Sequence, residues 1–234
     1  MRDGSMNDAS AVGSNATRVW DLPTRMFHWS LATLVVASVT TAQVGGNAMA
    51  WHFRSGYAVF ALLAFRILWG VVGGRWSRFA SFIHAPATTL RYLRGEHRPE
   101  EMLDVGHNPL GALSVFGLLA VLSVQVATGL FADDEIASAG PLVRFVSRTT
   151  SSLATTWHKR FGQWLIIALV LLHVAAILLY LLKKRRNLIR PMLTGDKPLG
   201  PGVPPSIDNL SSRGLALALL LGCAAGVAWL VTLG

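Results

Sequence analysis

The sequence predicts an all-α integral membrane protein: a four-helix transmembrane bundle followed by a fifth, C-terminal transmembrane helix. Two observations carry this reading. Hydrophobic residues make up 52% of the 234 positions and charged residues only 14%, too apolar for an ordinary soluble domain. Five apolar stretches, residues 27–44, 51–72, 110–131, 157–182 and 215–233, come close to or exceed the roughly 20 residues that a helix needs to cross a bilayer. The period-two alternation of a membrane barrel is absent, so each stretch must close its own backbone hydrogen bonds as a helix.

Taken in order, residues 1–17 are rich in Ser, Ala, Asn and Asp without apolar periodicity and are expected to form a disordered tail. Helix one follows Trp20 and Pro23. Ala48-Met49-Ala50 resembles a signal-peptidase pattern, but the long segment before the apolar run favours a retained helix. Helix three opens at Gly106-His107-Asn108-Pro109, a turn with Pro near the first helical position, and carries Gln125 as its deep polar side chain. It reads as a packing wall. The main membrane domain therefore spans residues 18–190, a Pro-rich linker covers 191–212, and the fifth helix occupies 213–234. That last helix contains Gly222-Cys223-Ala224-Ala225-Gly226, whose G-x-x-x-G spacing lets another helix approach closely.

The net charge of +9 does not point to nucleic acid, because the basic residues lie between the helices rather than on one soluble face. Arg18 and Arg25 precede helix one; Arg75, Arg78, Arg91, Arg94 and Arg98 lie between helices two and three. Lys183, Lys184, Arg185, Arg186, Arg190 and Lys197 follow helix four. The positive-inside rule then places the N-terminus in the cytoplasm, the C-terminus in the periplasm and the linker on the cytoplasmic side of a bacterial inner membrane.

Four histidines, His28, His52, His158 and His173, sit in or at the ends of these apolar stretches, where an imidazole is costly unless partnered. Topology assigns their depths: His28 opens helix one on the inner side, while His52 and His158 open helices two and four on the outer side. His173 lies 15 residues beyond His158, roughly 22 Å deeper, level with His28. Straight-helix geometry leaves the two histidines of helix four about 60° apart, so both can face one bundle interior. The expectation is two bis-histidine sites, His28 with His173 and His52 with His158, each binding a haem iron. A single cysteine, Cys223, rules out an intrachain disulfide, a C-x-x-C-H attachment and a thiolate-held cluster, so such haem is non-covalent haem b.

Other residues fit around these ligands. Gly56 and Gly162 each follow an outer ligand by four positions, leaving room for a porphyrin or, alternatively, for helix contact. Arg66, fourteen residues after His52, is placed either to hold a propionate of the inner haem or to snorkel to the boundary. Arg54, Lys159 and Arg160 are candidate propionate partners of the outer haem. His84, His97 and His107 do not share the pattern and are not expected to be ligands.

Val19-Trp20-Asp21-Leu22-Pro23-Thr24-Arg25-Met26-Phe27-His28-Trp29, the Trp51-His52 to Trp69-Gly70 helix, His107-Asn108-Pro109-Leu110-Gly111, Thr128-Gly129-Leu130-Phe131 and His158-Lys159 to His173 resemble one family. It is the bacterial cytochrome b561 and nickel-iron hydrogenase cytochrome-b subunit group of di-haem membrane proteins, over roughly residues 18 to 190. The resemblance implies two haem b carried by the four matching histidines. It also implies electron passage between a quinone pool and a periplasmic partner, either a c-type cytochrome, a hydrogenase or another dehydrogenase. A quinone site shaped by Trp20, Asp21 and Arg25, an acidic docking loop at Asp133, Asp134 and Glu135, membrane lipid and a homodimer are compatible with it. The rival readings are a superoxide- or small-acceptor-linked quinone oxidoreductase and a haem-free transporter or proton channel.

Overall fold

A computed structural model describes residues 15–96, 99–136 and 138–234. The expected tail falls on residues 1–14, outside the described residues, as do His97 and Arg98; residues 15–17, assigned to the same tail, belong to a strand.

The chain is built from α1 (Leu22–Val44), α2 (Met49–Val72), the short α3 (Pro86–Arg94), α4 (Pro109–Leu130), α5 (Arg148–Thr156), α6 (Gln163–Leu182), the short α7 (Ile189–Thr194) and α8 (Leu210–Val231). Capping chemistry sets their starts. Asp21 accepts from Thr24 N at 2.8 Å before α1, and Asn108 accepts from Gly111 N at 2.8 Å before α4, with Pro109 at the position whose N–H would be orphaned anyway. Ser147 and Asn209 do the same for α5 and α8. Between α5 and α6 the helix continues through a π turn, Trp157–Gly162, giving one uninterrupted helical run of 35 residues, Arg148–Leu182. The π turn contains His158.

Among the described residues, four helices are long and apolar enough to cross a membrane: Gly46–Val72, Pro109–Leu130, Arg148–Leu182 and Leu210–Val231. The sequence reading expected five. The difference is α1, which has the length at 23 residues but carries Arg25, His28, Ser30, Ser38, Thr40, Thr41 and Gln43 among its apolar residues. It nonetheless lies along α2, and α4 sits between α2 and α6. Leu171, Leu172, Leu178, Leu179 and Leu182 of α6 are exposed on the outside of the bundle, an arrangement suited to lipid and not to water.

Two interior clusters hold the bundle. Val59, Leu63, Leu122 and Ile166 join α2, α4 and α6, with Leu31, Leu34 and Val35 of α1 against them. Phe27, Leu62, Phe65 and Trp69 receive Ala216, Leu219, Leu220 and Cys223 of α8, so the fifth apolar stretch packs onto the bundle rather than standing apart.

The presumed linker is likewise tied down. β1 (Asn15–Arg18) pairs antiparallel with β2 (Asp196–Leu199), Arg18 opposite Asp196. Arg18 bonds Asp196 at 2.7 Å and Asp208 at 2.7 Å, and Asp208 also accepts from Arg213 at 2.8 Å, joining both ends of the domain to the start of α8. Gly195 lies at φ 91°, and a side chain there would meet Trp20 O at 2.7 Å, so the turn that brings the strands together requires glycine.

Candidate functional site

The four membrane histidines meet as two pairs. The rings of His28, near the start of α1, and His173, in α6, have centres 6.4 Å apart with planes inclined by 52°. Those of His52, near the start of α2, and His158, in the π turn, are 5.9 Å apart and inclined by 81°. Two imidazoles bound on opposite sides of one metal place their ring centres roughly 6 Å apart, given metal–nitrogen bonds of about 2 Å. Both pairs match that span, and twist about the shared axis is free. No three His, Cys, Asp or Glu side chains gather into a protein-only metal site among the described residues. Two ligands per site suit a metal whose other positions are filled by a macrocycle.

The His52–His158 pair, the one expected on the outer side, is oriented by backbone. His158 Nδ1 donates to Gln125 O at 2.9 Å, and His52 Nδ1 donates to Ser38 O at 2.9 Å with Ser38 Oγ 3.1 Å away. With each Nδ1 engaged by a carbonyl, the free nitrogen of each ring is Nε2, the arrangement that fixes tautomer and orientation in histidine ligands. At the inner pair, His173 Nδ1 lies 3.4 Å from Ser114 Oγ, and His28 Nδ1 is buried without a partner. Helix three of the sequence reading is therefore more than a packing wall, since α4 contributes Gln125 and Ser114. These contacts could not be read from side-chain type, because the main acceptors are backbone carbonyls; a serine within an apolar helix, as at Ser38, was the available signal.

Between the outer ligands lies a cavity of about 440 Å³, walled by α1, α2, α4 and the start of α6. Both His52 and His158 line it, with Gly56, Gln125, Gly129 and Lys159. A Cβ on Gly56 would meet nothing within 4 Å, so this glycine fronts open space of the kind a porphyrin needs. Gly162 differs. It is buried away from the cavity, and a Cβ there would strike Gln125 Oε1 at 1.9 Å and Trp157 Nε1 at 2.9 Å, so it serves the helix-contact role instead. The π turn also alters the straight-helix register from which its position was derived. Gly129, which the sequence offers only as part of the Thr128-Gly129-Leu130-Phe131 motif, is the closer neighbour: its Cβ would come within 2.8 Å of the His158 ring.

Of the expected propionate partners, Lys159 stands at the cavity wall, whereas Arg54 stacks over Trp51 at 5.0 Å and Arg160 is exposed, both outside the cavity lining. Arg66 is buried, not snorkelled, with its guanidinium carbon 4.7 Å from the Phe79 ring centre and 6.0 Å from that of Phe27; its Nη1 has no partner. The charge of Asp21 acts on it, but the unpartnered Nη1 leaves a buried N–H that a further anionic group would complete. The donor set around both pairs thus fits a macrocycle bearing carboxylates.

The residues proposed to shape a quinone site have other partners. Asp21 is fully buried and accepts from Thr24 N, Ser77 Oγ, Gly74 N and Trp69 Nε1 at 2.8, 2.7, 3.1 and 3.3 Å. Arg25 donates to Leu193 O at 2.6 Å. Trp20 packs against His107, ring centres 4.6 Å apart, with Phe82 at 4.6 Å on the same imidazole. His107, beside the cap of α4, is thus packed between two aromatic rings, and Asp21 is a structural lock. In the segment expected to form an acidic docking loop, Asp134 accepts from Ile136 N and Ser138 N, and Glu135 pairs with Arg148 at 3.3 Å.

The family described as prokaryotic cytochrome b561 matches residues 19–195. The chain is similar to the probable Ni/Fe-hydrogenase B-type cytochrome subunit of Cupriavidus necator, 28% identical over 235 residues, covering 82% of this chain and 93% of that one. The protein of the same name from Bradyrhizobium diazoefficiens is 23% identical over 219 residues, 80% of this chain and 88% of its own. The probable Ni/Fe-hydrogenase 1 B-type cytochrome subunit of Escherichia coli is 28% identical over 192 residues, 67% and 80% of the two chains. No solved structure matches the chain.

Proposed function

This chain belongs to the prokaryotic cytochrome b561 family, and we propose that it passes electrons across the bacterial inner membrane between a quinone pool and a periplasmic hydrogenase. Membership makes it a multi-pass membrane cytochrome of b type, with haem b as cofactor and electron transport as its work. The finer reading rests on one observation, the two imidazole pairs at 6.4 and 5.9 Å, each at the spacing one metal requires. Haem iron between two axial imidazoles exchanges single electrons and keeps no position open for oxygen, which favours transfer over small-acceptor chemistry.

In this reading His28 and His173 hold the inner haem, and His52 and His158 hold the outer one. Ser38 and Gln125 aim the outer rings, Gly56 and Gly129 leave space beside them, and Lys159 and Arg66 offer charge to carboxylates. The basic segments around residues 75–94 and 183–197 support an orientation with the His28–His173 pair toward the cytoplasm and α1 as a fifth crossing. The N-terminus is then cytoplasmic and the C-terminus periplasmic. A hydrogenase is favoured as partner because three similar proteins carry that word in their names.

Haem content tests the reading. The purified protein is expected to give a pyridine-haemochrome signal of about two haem b per chain; a value near one, or none, would remove the two-site proposal.

A further inference from the structure

Where α6 ends, a second cavity of about 410 Å³ opens between the C-terminal end of α3 and the segment leading into α4. Tyr92, Asp104, Tyr180, Lys184 and Arg186 line it, with Leu93 at its edge. It lies level with the ends of two membrane spans, since Tyr180 is in the last turn of α6 and accepts at 3.0 Å from Asn108, the residue that caps α4. That is the depth of lipid headgroups.

The lining is organised around one carboxylate whose acceptors are already in use. Asp104 accepts from Arg186 at 2.9 Å and from the Tyr92 hydroxyl at 2.8 Å. Lys197 donates to the backbone carbonyls of Asp104 and Val105. Lys184 lies 5.6 Å from the Tyr180 ring centre, and among the described residues no carboxylate pairs with it. The cavity therefore carries Lys184 in addition to an Arg186 that spends one N–H on Asp104, leaving its other donors for a ligand. The backbone is bent to bring them there: Met102 at φ 48° and Arg185 at φ 51° are two of the three non-glycine residues in the left-handed region among those described. Such backbone is unfavourable and gathers where a side chain must be aimed.

Apolar surface continues from the cavity. Leu93 and, one turn before it on the same face of α3, Leu90 are 58% and 48% exposed, a path for hydrocarbon beside a pocket for an anion. We propose that this cavity binds the phosphodiester headgroup of one anionic phospholipid, with Lys184 and Arg186 as its cationic donors and acyl chains along Leu90 and Leu93. Charge-assisted hydrogen bonds to phosphate, combined with adjoining hydrocarbon contact, distinguish this site from diffuse attraction to a basic run.

The test is the phospholipid carried through purification in mild detergent, counted by native mass spectrometry. The wild-type chain is expected to retain one anionic phospholipid, and Lys184→Gln to weaken retention about fivefold, the order expected for one interfacial cation. Lys183→Gln, a neighbour in the same basic run but outside the cavity lining, should leave retention unchanged. Equal losses in the two variants would overturn the site in favour of diffuse charge. If Lys184→Gln fails to fold, wild-type protein in phosphatidylcholine nanodiscs gives the answer. Added phosphatidylglycerol should raise the Tm, whereas additional phosphatidylcholine or inorganic phosphate should not; an equal rise with either overturns the proposal.

Discussion

His158 and Gln125 grip each other across two helices: the imidazole Nδ1 donates to Gln125 O at 2.9 Å while the Gln125 amide nitrogen donates to His158 O at 3.0 Å. An exchange of this kind fixes where the ring of His158 points, and it occurs where a π turn has released local backbone groups from their helical partners. The geometry of the His52–His158 pair is thus set by α4 as much as by the helices that carry the two histidines.

Gly129→Ala is the sharpest test of that arrangement. A Cβ there would fall 2.8 Å from His158 Cε1, closer than real contacts allow, so the ring must move. The variant is expected to lose or spectrally shift the outer haem while keeping the inner one, whereas Gly222→Ala, whose Cβ meets nothing within 4 Å, should leave both unchanged. Optical spectra of the reduced variants decide it.

Arg66 carries the corresponding expectation for the inner haem. Replacing a buried cation by methionine removes positive charge that favours the reduced state. Arg66→Met should therefore lower the potential of the inner haem by tens of millivolts, the order for one unit charge at an effective dielectric of about 20, with the outer haem little changed. Redox titration with haem-resolved spectra measures both.

Asp21 should prove structural. Its carboxylate caps α1 and accepts from Ser77, Gly74 and Trp69, so Asp21→Ala leaves buried donors unsatisfied and is expected to cost about 2–4 kcal/mol. Thermal unfolding in detergent should show a clear fall in Tm, with a smaller fall for Asp21→Asn. A wild-type Tm in Asp21→Ala would contradict the role.

Acid should loosen the basic side of the molecule. Burial would raise Asp104, but hydrogen bonds from Arg186 and Tyr92 and the charges of Arg186 and Lys197 outweigh it and hold the carboxyl below its ordinary value. Asp208 is likewise held down, burial being outweighed by hydrogen bonds from Arg213, the Leu22 amide and Arg18. Both groups bind protons more weakly folded than unfolded, so their stabilisation is present above about pH 4 and is lost as pH falls through their folded pKa values. Melting temperatures taken downward from pH 6 should drop on that limb, and Asp208→Asn should flatten it.

Much of the architecture was legible because bilayers impose simple lengths: apolar stretches long enough to span read directly as α2, α4, α6 and α8. The histidine pairing was legible for a related reason, since alternating helix direction converts position in the chain into depth. Other features depend on contacts that sequence order conceals. Arg18 and Asp196 are 178 residues apart, and nothing local announces that the Pro-rich segment folds back onto β1. The polar content of α1 weakens its membrane signal, and two of those residues serve the histidine pairs, His28 as a member and Ser38 as a contact of His52. Of the two roles open to Gly162 its surroundings favour helix contact, because a four-residue offset implies a shared face only in a regular helix and Trp157–Gly162 is not one.

The most direct test is the reduced absorption spectrum of four single variants, His28→Ala, His173→Ala, His52→Ala and His158→Ala, each compared with the wild-type chain. Removing His28 or His173 should abolish one b-type component, and removing His52 or His158 the other, with haem content falling by about half in each. Loss of the same component from His28→Ala and His52→Ala, or retention of both haems in any of the four, would contradict the two-pair assignment.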